Sequence, residues 1–302
     1  MQTLTSRRHF LQQTAALTAA AFLPLDLFAK KSGLKFGYSA ITWGGNDAQA
    51  IQDIAALGFK GIQLRANTFG PYKAKPSELK AMLEAKGLTL AMFSSGNVEI
   101  DPAKEASTID MHVAHASFVK ALGGSALQMT NSLRPKDRLP TTEELKRLAE
   151  VMNKIGQQTA DIGVQATYHN HMNQLGETPE EVDVIVQNMN PKYVKLLLDV
   201  AHYHQGGGTP AKAILQYRDV IHALHLKDTK SPLPGNDNPK AYKFVELGQG
   251  NVDFPAIFAA LDKIRFNGWG VIELDGVPDK AKTPLQCGEI TKAYLEKNKF
   301  GV

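Results

Sequence analysis

The side chains able to bind metal or move protons are not spread evenly along this 302-residue chain. Five of the nine histidines fall in three clusters: Tyr168-His169-Asn170-His171, Asp199-Val200-Ala201-His202-Tyr203-His204 and His225-Leu226-Lys227-Asp228. A fourth cluster is Glu273-Leu274-Asp275. Largely apolar runs lead into them, such as Val194–Leu198 into Asp199 and Val271-Ile272 into Glu273. An ionised carboxylate at the end of a buried run is costly unless it is paired or bound to metal. His169, Asp199, His225 and Glu273 therefore form a candidate N₂O₂ ligand set for one divalent ion. Mixed imidazole and carboxylate donors suit Mn²⁺, the first choice, or Zn²⁺, Co²⁺ or Fe²⁺ better than Ca²⁺. Such an ion polarises a carbonyl, and Glu273 or His169 takes the proton from the adjacent carbon.

For these clusters to meet, each must end a strand of one sheet. From Leu34 the chain alternates β-rich and helical runs, the pattern of parallel α/β architecture. Strands are expected at Leu34–Ala40, Phe59–Arg65, Leu88–Ser94, Ser125–Thr130, Val164–His171, Val194–Val200, Ile221–Asp228 and Trp269–Asp275. Helical spacing marks Ala48–Leu57, Ser77–Lys86, Ala106–Leu122, Glu143–Ile162 and Pro255–Ile264. Pro76-Ser77-Glu78, Thr141-Thr142-Glu143-Glu144 and Thr178-Pro179-Glu180-Glu181 each read as a capping residue followed by an acidic first turn. Eight strand-then-helix units predict an α/β fold, a single (β/α)₈ TIM barrel over residues 32–302. A dinucleotide-binding turn does not fit Ala40-Ile41-Thr42-Trp43-Gly44-Gly45 after the first strand. Gly206-Gly207-Gly208 reads as a flexible loop, and Thr229–Val245 as a loop over the barrel mouth.

Barrel active sites lie at the C-terminal strand ends, where the four clusters fall. Alternation gives Lys227 the inward direction of His225, so Lys227 is a candidate catalytic residue that steadies an enolate oxygen. His222, of opposite parity, faces the helices. Candidate substrate contacts are His171, His202, Arg65 at the end of strand two, and Trp43, whose ring suits either stacking on a substrate or packing in the core. His204 fits a polar loop equally well. His112 and His115 fall within the third helical run and read as surface or packing residues.

Asp-x-x-His at Asp199 and His202, His-x-Lys-Asp at 225–228 and the terminal Glu273 together resemble the xylose isomerase-like barrel superfamily of sugar isomerases, epimerases and dehydratases. Leu247-Gly248-Gln249-Gly250-Asn251-Val252-Asp253-Phe254 is similar to the Gly-x-Gly-x-x-Asp-aromatic element of those proteins. Tyr-His-Asn-His resembles the branch called sugar phosphate isomerase/epimerase. The resemblance runs from Leu34 to the C-terminus and implies a divalent metal on Asp199, His225 and Glu273, with His202 near it. Epimerases of the superfamily carry a glutamate at the position of His169, paired with the strand-eight glutamate. With His169 in its place a symmetrical two-carboxylate relay is absent, and one-sided elimination gains ground. The expected activity is a sugar isomerase or epimerase type of proton abstraction beside a carbonyl. A lyase acting on a 3-keto-glycoside or keto-inositol is one alternative, and a non-catalytic exported sugar-binding protein another.

Composition narrows the partners. Thirty-four Lys and Arg against 30 Asp and Glu leave a formal +4, too balanced for a nucleic-acid surface, so the expected partner is a small carbohydrate. An apurinic endonuclease on this fold would need extra histidines. Strand two ends Gln63-Leu64-Arg65-Ala66-Asn67, and Asp228-Thr229-Lys230 follows strand seven. Cys287 is the one cysteine, so no intramolecular disulfide forms. Ser6-Arg7-Arg8-His9-Phe10-Leu11 precedes an apolar stretch from Ala15 to Leu25. Residues 1–29 thus read as a twin-arginine signal peptide that sends the protein to the periplasm. The apolar stretch is short of the roughly 20 residues of a membrane span, so no stable insertion is expected after processing.

Overall fold

The computed structural model describes residues 32–233, 235–238 and 241–301. The stretch read as a signal peptide lies outside the described residues. Eight parallel strands close into a barrel in the order β1 (Lys35–Ser39), β10 (Trp269–Ile272), β7 (Ile221–Leu226), β6 (Val194–Asp199), β5 (Gln165–His169), β4 (Ala126–Asn131), β3 (Thr89–Val98) and β2 (Gly61–Arg65). This is the single (β/α)₈ barrel that the alternation of units predicts.

The alternation of side chains along each strand sorts the apolar residues into two layers. Leu196, Leu198, Leu224, Leu226 and Ile272 join the large core between strands and helices. Leu197, Ala223 and Val271 belong to a separate small cluster with Ala91 and Ala126. These three precede Asp199, His225 and Glu273 by two residues, so the inward face changes from apolar floor to polar site within one pleat. Each fully buried aliphatic side chain contributes about 1.5–3 kcal/mol, which is what holds the strand ends in place.

The helices follow from the same patterning. Thr142–Asp161 buries Leu145, Leu148, Met152, Ile155 and Thr159 along one face and starts with a capping box between Thr141 and Glu144. Thr178 caps Pro179–Asn188, and Thr283 with Gln286 closes a second box on Pro284–Lys297. The helix Pro76–Ala85 departs from expectation, because Lys75 holds the cap position without a side-chain bond and Pro76 starts the helix. Proline lacks an N–H that would go unpaired there anyway.

Two loop readings change. Thr229–Val245 is anchored by an antiparallel hairpin, β8 (Asp228–Lys230) against β9 (Lys243–Val245). The triple glycine is not a slack loop. A Cβ on Gly206 would fall 2.0 Å from the Glu177 carbonyl oxygen, and one on Gly208 2.2 Å from the Tyr203 ring. Close packing selects glycine at both positions. His112 and His115 are interior, with their Nδ1 atoms 2.6 and 2.8 Å from the one Ser95 hydroxyl. Among the described residues, no helix is long and apolar enough to cross a membrane.

Candidate metal centre

Asp199 ends β6 and divides its two carboxylate oxygens between fold and site. Oδ1 accepts the backbone N–H groups of Ala201 and His202, both at 2.9 Å, and caps the helix Val200–Gln205. Oδ2 faces inward, 3.4 Å from His169 Nε2 and 3.6 Å from His225 Nδ1. His225 Nδ1 lies 3.0 Å from His169 Nε2 and 3.4 Å from Glu273 Oε1. One donor atom from each of the four residues lies within 4.8 Å of the other three, and all four residues are buried. Ligands of one ion with bonds of roughly 2.1 Å sit about 3–4 Å apart. The neighbouring donors already have that spacing.

The surrounding amides set the imidazoles for ligation. His225 Nε2–H donates to Gln63 Oε1 at 2.9 Å, which leaves the Nδ1 lone pair directed into the set. The same carboxamide donates from Nε2 to Glu273 Oε2 at 2.9 Å, so Gln63 clasps two of the four residues. Gln128 Nε2 lies 3.3 Å from His169 Nδ1, while its buried Oε1 has no hydrogen-bond partner among the described residues. A half-turn of that amide places the orphaned oxygen on an Nδ1–H and frees His169 Nε2 for an ion. The orphaned oxygen and the donor chemistry both fit a divalent metal.

Lys227 supplies the balancing charge. Its fully buried ammonium lies 2.8 Å from Glu273 Oε1, 2.9 Å from Asp275 Oδ1 and 3.6 Å from Asp199 Oδ2. Burial works against that charge, but Glu273, Asp199 and Asp275 together hold the amine above its ordinary range. Burial likewise pushes Glu273 up, yet His225 and Lys227 pull it down to about 2. Burial opposes ionisation of Asp199 too, and His202 and Lys227 hold its carboxyl well below the usual value. Burial takes His169 down to about 4, against the bond to Asp199. Two carboxylates, an ammonium and a neutral imidazole thus coexist at pH 7.

A cavity of about 390 Å³ opens over this set, lined by Gln63, Arg65, Gln128, His169, His171, Glu273 and Asp275 among others. His171 and Arg65, named from sequence as candidate substrate contacts, are thus both cavity-lining. His202 sits behind the wall, its ring 3.9 Å from that of His171 and its Nε2 3.3 Å from Lys227 Nζ. Trp43, for which the sequence allowed either stacking on substrate or core packing, is not among the lining residues. Its indole N–H donates to Asp53 Oδ2 at 2.7 Å and its ring packs edge-on against Tyr38, so it is a core aromatic. Asp228 is a loop anchor: its carboxylate accepts the N–H groups of Thr229, Gly248, Gly250 and Val252. That explains the glycine-rich element, since a Cβ on Gly250 would fall 2.2 Å from Asp228 Oδ1. The anchored hairpin places Phe244 over Lys227, 4.5 Å from Nζ to ring centroid.

The sequence reading missed Gln63, Gln128 and Phe244 as parts of the site, and it placed Asp275 in the fourth cluster without a role. Gln63 and Asp275 carried a positional signal, each lying two residues from a residue read as facing the mouth, Arg65 and Glu273. Gln128 had no such neighbour, and Phe244 lies in the short strand β9, which the sequence reading took for a loop.

The family model for xylose isomerase-like TIM barrels matches residues 51–289. The chain belongs to that family. Inosose dehydratase of Klebsiella pneumoniae (strain 342) is 27% identical over 304 residues, covering 88% of this chain and 97% of that protein. The crystal structure of the IolI protein with a bound zinc atom superposes with a TM-score of 0.74 at 20% identity, covering 89% of this chain and all of that one. A sugar phosphate isomerase/epimerase from Parabacteroides distasonis gives 0.68 at 21% identity, over 88% and 94%. At these identities the two solved structures establish the shared fold.

Proposed function

We propose that the protein is a metal-dependent lyase that eliminates a β-substituent from a cyclic keto-polyol of the keto-inositol or 3-keto-glycoside class. The observation that carries this reading is the asymmetry of the site. Glu273 is its one glutamate, placed 2.8 Å from Lys227, and an imidazole, His169, stands where a two-base epimerase would need a second. Similarity to proteins named inosose dehydratase supports elimination over the isomerase or epimerase outcome expected from sequence.

A divalent ion held by His169, Asp199, His225 and Glu273 supplies, when bound, a Lewis acid toward a substrate carbonyl. Glu273 takes the proton from the carbon beside that carbonyl. The electron pair released from the C–H bond moves onto the carbonyl oxygen, where the Lys227 ammonium offsets the new charge. Return of that pair forms the carbon–carbon double bond and breaks the bond to the β-oxygen, which takes the proton back from Glu273 and leaves as water or an alcohol, restoring the carboxylate. Gln63 holds Glu273 in place through both steps. The apolar floor of Leu197, Ala223 and Val271 keeps water from the underside.

Incubation of metal-loaded protein with keto-inositols, 3-keto-glycosides and ketoses in D₂O, followed by NMR, tests this. The expected result is loss of the proton beside the carbonyl together with an unsaturated product and a released fragment. An isomer or epimer without a released fragment restores the isomerase reading, and binding without exchange supports a sugar-binding role. We also infer that the chemistry takes place in the periplasm, on the strength of Arg7 and Arg8 ahead of a short apolar stretch. Replacing both with lysine should retain the protein in the cytoplasm; unchanged periplasmic recovery rejects the export assignment.

A further inference from the structure

Most of the described arginines are paired. Arg134 places one guanidinium nitrogen 2.6 and 2.7 Å from the two oxygens of Glu181, and Arg138 and Arg147 bond Glu144 and Glu105. Arg65 differs. It is half-buried at the end of β2 and lines the cavity, and among the described residues its guanidinium makes no hydrogen bond and no ion pair. Its direction follows from β2 itself. Gln63, two residues earlier, reaches His225 and Glu273, whereas Ile62 and Leu64 join the outer core. Asp47 is near enough to feel the Arg65 charge, but the two form no ion pair, and Asp47 Oδ2 accepts from Asn67 Nδ2 at 2.6 Å. In the closed order, β2 stands opposite β6, so Arg65 faces Asp199 across the mouth.

We propose that Arg65 anchors an anion subsite, so that the natural substrate carries a carboxylate or phosphate on the part of the molecule remote from the reacting carbonyl. A guanidinium is a planar, permanently charged fork matched to these groups. A partly desolvated guanidinium whose N–H groups have no hydrogen-bond partner is costly, and an anion in the cavity satisfies both its charge and its donors. The other cation of the site is not available for this purpose, since Glu273 and Asp275 already hold Lys227.

The proposal rests on the elimination reading for the placement of a keto-polyol in the cavity, but it is tested by binding alone. The metal-loaded full chain is titrated calorimetrically with D-glucose, D-glucuronate and D-glucose 6-phosphate, three rings that differ in one substituent. At least one anion should bind about 10- to 100-fold more tightly than glucose, as expected for a charge-assisted contact. The tighter of the two names the group. The preference should collapse in Arg65→Met, shrink less in Arg65→Lys, and weaken with added salt. Equal affinity for all three rings overturns the proposal. So does a preference that survives Arg65→Met, because the anion is then held at the metal donors. Proton exchange on a neutral keto-inositol, measured separately, reports on the elimination reading whatever the titration gives.

Discussion

Gln63 Oε1 lies 2.9 Å from His225 Nε2, and that bond decides which nitrogen of the imidazole is left for an ion. The partners are 162 residues apart in the chain and sit on strands that do not neighbour one another in the barrel. Gln63→Leu removes the acceptor and also releases Glu273. Affinity for the divalent ion should fall about 10- to 100-fold, measured by competition with a chromophoric chelator. Affinity equal to that of the parent protein would show that the clasp does not orient ligands.

Glu273 and His169 should separate kinetically. Glu273→Gln keeps the shape and one oxygen ligand but cannot accept the proton, so α-proton exchange should drop by about 10²- to 10⁴-fold. His169→Ala should lower bound metal, read by elemental analysis after dialysis. Exchange that persists in both variants, or after chelation, would leave the proposed roles without support.

Phe244 shields Lys227 and packs edge-on against His202. Phe244→Ala admits water to an ammonium that the site needs dry. A cation–π contact is worth about 0.5–2 kcal/mol, so a rate loss of about 2- to 30-fold is expected. Metal content should stay unchanged, because Phe244 touches none of the four donors. A matching loss of metal would mean that the hairpin acts on the ligands and not on Lys227.

Acid stability should depend on His112. Burial pushes its imidazole down to about 4, while in the unfolded chain it titrates near 6.5. Between these values the unfolded state binds the extra proton, so stability rises with pH through this window and is lost on acidification. The full effect is on the order of 3 kcal/mol. His112→Asn keeps a polar partner for Ser95 but removes this titration. Urea midpoints from pH 6.5 down to 4 should therefore fall less steeply in the variant, and parallel curves would assign the acid sensitivity elsewhere.

The sequence by itself determined the barrel and the four donors. Both depend on local rules: strands alternate inward and outward, and an apolar run that ends in a charged residue at a strand end delivers it to the mouth. The same rule placed Lys227 inward and His222 outward. It ran out wherever a contact joins distant strands. Glutamines give no local sign that they will bridge His225 to Glu273 or support His169, because those bonds exist only once the barrel has closed. Trp43 stayed undecided for the same reason, since an aromatic after a strand can turn to the mouth or to the core. Asp53 and Tyr38 turn it to the core. Asp228 likewise showed in sequence as part of a chemical motif, and the tertiary structure made it the anchor of four backbone amides. Hydrophobic periodicity is written residue by residue, whereas the pairing of buried polar groups is settled by which strands meet.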